Sequence, residues 1–393
     1  MPTLGSSYEN KNNILMDDPT IVSMRNVENI DYAAAKSAGE QDWSGRSFAF
    51  GDFLQEGQYS AIALSTVYKN IYPGFNIDSW PDSPAKIYFL KKDKDSGRWL
   101  DTTSSLIKDA ASRFTCVTPS YVEVADLNND GKPDAYIACT GVDFPLPNKL
   151  AHVPSDQYVV LSQPDGTYKV TPLAIDQVYG HKASLVDLNG DGNIDILSVD
   201  PQIDHKPFVL WGNGDGTFKK DMSLFPDDIM NTPTYGIYAI PVNGKINIFV
   251  SGFPSDSMSN PSSWDQSHQY GFKRFEYTNG ALQFTQDITP IIPKASKTGL
   301  RYGLVIDLLY KDGYYYAFQV TSGYNDYAIT RYNLDSSTSN TMVENYMSVP
   351  YAAPGLLKAT SSNIIVQQVP FCSYSYPQQN YAYEGCKYKL QLK

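Results

Sequence analysis

V-D-L-N-G-D-G-N-I-D, running from Val186 to Asp195, is the stretch that decides the fold, and A-D-L-N-N-D-G-K-P-D, from Ala125 to Asp134, is its near copy. In each, oxygen-bearing side chains recur at every second residue: Asp187, Asn189, Asp191 and Asp195 in one, Asp126, Asn128, Asp130 and Asp134 in the other. A hard cation such as Ca²⁺ takes six to eight oxygens, and this spacing wraps a short loop around one ion. Gly192 and Gly131 follow the third ligand, where the chain turns sharply and a Cβ is expected to obstruct. The seventh position, Asn193 or Lys132, contributes a main-chain carbonyl, so its side chain is free to vary. The competing reading is a polar Asx turn without metal, since Asp, Asn and Gly favour turns in any case.

An EF-hand needs a helix before the loop and a glutamate at its twelfth position. Here Ser184-Leu185-Val186 precedes one loop and Ile194 to Val199 follows it, while Tyr121 to Val124 and Ala135 to Ala138 flank the other. Short β-branched and aromatic runs of this kind are strands. The loops are therefore hairpin connections within sheets, and an EF-hand is excluded.

Each loop heads a longer repeat. A second strand follows, then a variable connection, then a third strand turning through Asp-Gly into a fourth, as in Tyr158 to Tyr168 and Phe208 to Phe218. Asp-Gly between alternating apolar residues is a strong hairpin signal. Related hairpins turn at Asp95-Ser96-Gly97 and Asn279-Gly280, and a looser one joins Ala328 to Val343. First strands are expected at Ser47 to Asp52, Tyr121 to Asp126, Lys182 to Asp187, Gly236 to Val242, Tyr302 to Leu308 and Gly355 to Ala359. The loop decays outside the two clear copies: Asp52 to Gly57 keeps its outline through Asp52 and Glu56, whereas Val242-Asn-Gly and Tyr310-Lys-Asp-Gly are shortened turns. A spacing of about 55–75 residues suits a four-stranded propeller blade with its loops. Residues 1–393 then form one all-β domain, a β-propeller of six four-stranded blades over 46–393. The last unit stops after its third strand, Lys387 to Leu392, and residues 1–45 contribute the missing strand, around Thr20 to Val27, to close the ring. The count becomes seven if residues 14–45 hold more than one strand.

The net charge of −11 argues against a nucleic acid or an anionic membrane as partner. No apolar run reaches the length of a membrane span. Met1 opens a polar segment without the regions of a signal peptide, so a leader was either removed or lies outside this sequence. Four cysteines show no zinc spacing, and their positions pair them as Cys116–Cys139 and Cys372–Cys386, in an oxidising, secreted or cell-surface setting.

The loop D-x-[DN]-x-D-G-x-x-D, with D-G-T-[FY] downstream, resembles the FG-GAP/VCBS repeat family of β-propellers, to which integrin α-chain propellers belong. The resemblance is concentrated in residues 121 to 219. It implies a calcium-binding propeller, with the degenerate loops of the other blades left open as to metal.

Strands in a blade alternate in direction. The first-to-second and third-to-fourth turns therefore share one face, and the remaining connections lie on the other. That second face receives long stretches rich in aromatic and amide residues: Val67 to Trp80, Asp143 to His152, Phe253 to Tyr270 and Phe371 to Tyr383. Tyrosine is the compositional outlier at 30 copies against 17 phenylalanines. All four histidines (His152, His181, His205, His268) fall on this face. Candidate ligand contacts are Tyr72, Trp80, Trp264, Tyr374, Tyr376 and Tyr383 from the loops, with Tyr179, His181, Tyr235 and Tyr302 at the channel rim. Rings stacking on sugar faces beside amides and carboxylates suit a glycan, and the same composition serves a protein surface. Against this stands ordinary packing, for the loop aromatics and for the repeated Tyr-Gly of Tyr179, Tyr235 and Tyr302.

These features support a calcium-stabilised binding or adhesion propeller with two structural ions. The alternative is a polysaccharide lyase or glycoside hydrolase working near the channel. It would use His181 with Tyr179, Tyr235, Arg301 or Tyr302, or carboxylates from Asp143, Asp204, Asp256 or Asp265. A structural subunit of a surface assembly is a third class. No G-x-S-x-G, H-E-x-x-H or phosphate loop is present. The sequence leaves the oligomeric state unread.

Overall fold

Among the described residues, five strands bury every residue along their length: Phe48–Gly51, Ser60–Ser65, Asp134–Cys139, Ala183–Val186 and Asp195–Asp200. A strand with one wet face would alternate buried and exposed, so these belong to sheets covered on both sides. The computed structural model describes residues 24, 27–38, 40, 48–58, 60–65, 85–108, 114–116, 119–141, 154–200, 206–230, 234–252, 271–321, 326–346, 356–359, 363–367 and 387–391. Within them the strands gather into radiating blades, each an antiparallel sheet whose strands follow in sequence order.

After a short N-terminal strand, β1 (Val27–Glu28), blade one holds β2 (Phe48–Gly51), β3 (Ser60–Ser65), β4 (Lys86–Lys92) and β5 (Trp99–Asp101). Blade two holds β6 (Pro119–Ala125), β7 (Asp134–Cys139), β8 (Tyr158–Ser162) and β9 (Tyr168–Pro172). Blade three holds β10 (Ala183–Val186), β11 (Asp195–Asp200), β12 (Lys206–Gly212) and β13 (Phe218–Asp221). Blade four comprises β14 (Thr234–Val242), β15 (Lys245–Gly252), β16 (Gly271–Thr278) and β17 (Ala281–Asp287). Blade five comprises β18 (Leu304–Lys311), β19 (Tyr314–Val320), β20 (Asp326–Asn333) and β21 (Thr338–Tyr346). A three-stranded sheet follows: β22 (Leu356–Ala359), β23 (Asn363–Gln367) and β24 (Lys387–Gln391). All six expected first strands are present as inner strands. The propeller has five complete blades, not the six or seven expected, because the last sheet has no fourth strand among the described residues.

The N-terminal expectation also changes. β1 pairs in parallel with β5, Val27 opposite Trp99, and so widens blade one at its outer edge instead of completing the last sheet. Met24, Val27 and Ala35 pack with Phe48, Phe50, Ala61, Ala63, Leu90 and Trp99 on the face of blade one turned away from blade two. Glu40 anchors this segment: its buried carboxylate accepts from Ser65 Oγ at 2.8 Å, Lys86 Nζ at 2.6 Å and the Tyr88 hydroxyl.

The core is a series of layers between neighbouring blades. Ile62, Leu64 and Phe89 meet Val122, Val124 and Ile137, and Tyr136, Ala138 and Val159 meet Leu185, Ile196 and Phe208. Val199 and Val209 meet Ile237 and Ile248, and Phe249 and Phe272 meet Val305, Ala317 and Tyr332. The disulfide Cys116–Cys139 forms, as expected. Cys372 and Cys386 lie outside the described residues. Among the described residues no helix is long and apolar enough to cross a membrane.

The turns follow local chemistry. Asn243-Gly244, Asn279-Gly280 and Asp312-Gly313 each take positive φ at both residues, which matches the right-handed twist of a two-residue hairpin. In the two D-G-T hairpins, Asp165 Oδ1 and Asp215 Oδ1 accept from the main-chain N–H of Thr167 and Thr217 at 3.0 and 2.9 Å. Each also takes that threonine's hydroxyl at 2.5 Å.

Candidate functional site

The β6–β7 loop (126–133) and the β10–β11 loop (187–194) are built alike. Asp126 accepts from the N–H of Asp130 at 3.1 Å and of Gly131 at 2.9 Å, and Asp187 from Gly190 at 2.8 Å and Gly192 at 3.1 Å. Gly131 and Gly192 have φ of +82° and +91°, with open space where a Cβ would stand. Glycine is needed there for the left-handed backbone and not, as expected, to avoid a clash. Asn128 and Asn189 turn their side-chain oxygens to the N–H of Asp130 and Asp191 at 3.2 and 2.9 Å. Asp130 and Asp191 cap the N–H of Lys132 and Asn193 in turn.

The last aspartate of each loop is wholly buried. Asp134 accepts from Leu127 N at 2.8 Å and Ser162 N at 2.7 Å; Asp195 accepts from Leu188 N and Gly212 N, both at 2.9 Å. Each carboxylate thus staples the loop to the end of the blade's third strand. Burial pushes Asp134 up to about 7 and Asp195 up to about 6, with the charge of Asp130, and of Asp191 and Asp187, adding to the effect.

Among the described residues no group of three or more His, Cys, Asp or Glu side chains is gathered closely enough to hold a metal alone. The expected donor set is nevertheless all oxygen, with carboxylates at positions one, five and nine, an amide at three and a main-chain carbonyl expected at seven, which suits a hard cation. Asp126 and Asn128 already aim oxygens at one donor, Asp130 N. The β2–β3 loop (52–59) supplies a control. Asp52 accepts from Glu56 N at 2.9 Å and Gly57 N at 2.8 Å, and Ser60 Oγ replaces the buried aspartate by accepting from Phe53 N at 2.8 Å. There the position-five carboxylate, Glu56, carries a cation of the protein's own, Lys91 Nζ at 2.6 Å. Lys132 in blade two bonds the carbonyl of Gln163 at 3.1 Å instead. On donor chemistry alone, the residues at the two intact loops suit a hard cation such as calcium.

The axis of the ring holds a second polar cluster. Lys182, just before β10, reaches the Tyr121 hydroxyl at 2.6 Å and Asp307 Oδ1 at 2.9 Å. Its ammonium lies 4.0 Å from the Tyr121 ring centroid and 5.1 Å from that of Tyr238. Tyr121 donates to Glu123, and Tyr238 donates to Val305 O at 2.6 Å. Inner strands of blades two, four and five and the lead-in to blade three thus meet through one buried ammonium. Burial raises the Tyr121 hydroxyl well above the usual tyrosine range, and Glu123 and Asp307 add to it. None of these residues stood out as a site in the sequence.

Of the rim candidates, His181 and Tyr235 come together, with ring centroids 5.3 Å apart. Tyr179 and Tyr302 have no exposed surface. Beside Tyr179, a Cβ on Gly180 would stand 2.1 Å from Gln157 Oε1, so that glycine serves close packing. Arg301 is a loop clasp, donating to the carbonyls of Thr289, Pro290 and Ile292 at 3.3, 3.2 and 2.9 Å. Tyr72, Trp80, Trp264, Tyr374, Tyr376 and Tyr383 lie outside the described residues, as do His152, His205, His268, Asp143, Asp204, Asp256 and Asp265.

The fold and loops define a β-propeller with Asp/Asn-rich hairpin turns. Residues 187–244 match the FG-GAP-like repeat. No curated protein matches the chain in sequence. Among solved structures, a putative 6-phosphogluconolactonase from Bacteroides uniformis is similar over 86% of this chain and 86% of its own, at 12% identity and a TM-score of 0.45. A periplasmic gluconolactonase from Pseudomonas aeruginosa matches over 80% and 77%, at 12% identity and a TM-score of 0.45. A GH43_1 enzyme from Xanthomonas citri matches over 63% and 83%, at 11% identity and a TM-score of 0.40. Likeness at this level carries no activity over to this chain.

Proposed function

We propose that this chain is a calcium-stabilised extracellular binding propeller, recognising a glycan or a protein partner through the face that bears its long connections. The observation that carries the reading is the asymmetry of the two ends of the blades. On one end the strands are joined by residues 52–59, 126–133, 187–194, 243–244 and 312–313, all short and hydrogen-bonded turns. The connections 66–85, 140–157, 253–270 and 368–386 leave from the opposite end, beside two short ones, 201–205 and 321–325. Those stretches contain Trp80, Trp264, Tyr374, Tyr376 and Tyr383. Two ions on the turn face would be structural, and a disulfide accords with an oxidising compartment.

The test is a glycan array in calcium, run beside a Trp80→Ala, Trp264→Ala variant. Binding that disappears in the variant supports the reading; an array silent for both proteins, with no protein captured from extracellular fluid, overturns it. Chelation with EDTA is expected to lower Tm, and an unchanged Tm would remove calcium from the proposal.

A second reading, a secreted polysaccharide lyase or glycoside hydrolase, draws on one observation: Glu123, Tyr121, Lys182 and Asp307 place acid–base groups on the axis. Release of unsaturated or reducing ends from glycans, abolished by Glu123→Gln, would favour it over binding alone.

A further inference from the structure

The two intact loops touch. Asn129, the fourth residue of the β6–β7 loop, donates its side-chain N–H to Asn193 Oδ1 at 2.7 Å, and Asn193 is the seventh residue of the β10–β11 loop. Asn129 holds a left-handed backbone, φ +59°, which asparagine tolerates better than most residues. The β12–β13 hairpin (213–217) of blade three closes over this contact. Gly214 has φ +77°, and a Cβ on it would stand 2.3 Å from Asn193 Oδ1 and 2.6 Å from Asn129 Nδ2, so a side chain there would push the two amides apart. Two residues on, Gly216 N donates to Leu127 O of the blade-two loop at 3.1 Å, and a Cβ there would strike Leu161 of blade two at 2.3 Å.

We infer that the two loops form one coupled unit across the boundary between blades two and three, in which a divalent cation bound in one raises the affinity of the other. The inference rests on the calcium reading above. Asn193, the residue expected to offer a main-chain carbonyl at position seven, has its N–H held by Asp191 Oδ1 at 2.8 Å and presents its side-chain oxygen to Asn129. Fixing either loop around an ion fixes one end of the Asn129–Asn193 bond. The ordering cost of the partner loop is then partly met before its own ion arrives. The coupling is reciprocal, so either loop can fill first.

The experiment is a terbium titration of the full chain, read by sensitised luminescence and checked by calcium calorimetry, for the wild type, Asn193→Ala and Asn129→Gly. Glycine is chosen at 129 because it keeps the left-handed backbone while deleting the amide. The wild type is expected to take two ions, the second about fivefold more tightly than the first. Both variants should still take two ions, with that ratio brought to one. Two independent ions in the wild type, or an unchanged ratio in both variants, overturn the coupling while leaving the calcium reading intact. Uptake of no ion overturns the calcium reading and the coupling with it.

Discussion

Replacing Lys182 by Met tests whether the axial cluster holds the ring together. The side chains of Lys182 and Asp307 are 6% and 10% exposed, so the variant removes the Lys182 ammonium from beside a buried carboxylate. Removing one member of a buried ion pair costs about 3–5 kcal/mol, most of it from the stranded charge. Loss of the ammonium over the Tyr121 ring acts in the same direction. With an unfolding entropy of about 2 cal/mol/K per residue over 393 residues, the expected fall in Tm is about 4–6 °C. Guanidinium unfolding followed by circular dichroism, together with a thermal scan, measures the change. Asp307→Asn and the double variant complete a cycle, and the double variant should be more stable than the summed single losses imply by about 1–3 kcal/mol. A Lys182→Met protein within about 0.5 kcal/mol of wild type, or strict additivity in the cycle, would refute the reasoning.

Reduction of Cys116–Cys139, or Cys139→Ser, opens a cross-link of sequence separation 23 and should cost about 3 kcal/mol, read as a shift in the denaturant midpoint. Glu40→Ala removes the carboxylate to which the Tyr88 and Ser65 hydroxyls donate. It should speed proteolysis between residues 24 and 48 and change Trp99 fluorescence while the β14–β21 blades keep their hydrogen-exchange protection. Burial raises Tyr121, Tyr136 and Tyr332 above 10.0 and pushes Tyr315 up to about 12. The folded state therefore keeps protons that the unfolded chain releases, and stability should fall as pH rises past 10. Titration of all 30 tyrosines near pH 10 without any loss of stability would contradict this burial.

The hairpin loops were legible because few backbone shapes accept Asp, Asn and Gly at that spacing, and the same Asx pattern recurs in blades two and three. The inner strands could be placed from them, since each loop marks where a first strand ends. The blade count was less legible. Lys387 begins the last strand as expected, but Val27 carries nothing in its sequence to show that it pairs with Trp99 and not with the final sheet. The axial cluster was hidden for a different reason. Tyr121, Lys182, Tyr238 and Asp307 each look like ordinary strand residues, and only closure of the ring brings them together. Asn129 and Asn193 are similar, because a contact between blades leaves no periodicity within either.

The N-terminal segment on blade one bears on how the chain is made. A ring built blade by blade exposes a sticky apolar face on its first blade until the last one arrives, and such faces are where nascent chains aggregate. Here Met24, Val27 and Ala35 leave the ribosome before the strands they cover and remain seated on Phe48, Phe50 and Trp99. Blade one is therefore born with its own shield, fastened by Glu40, and does not have to wait for the rest of the ring.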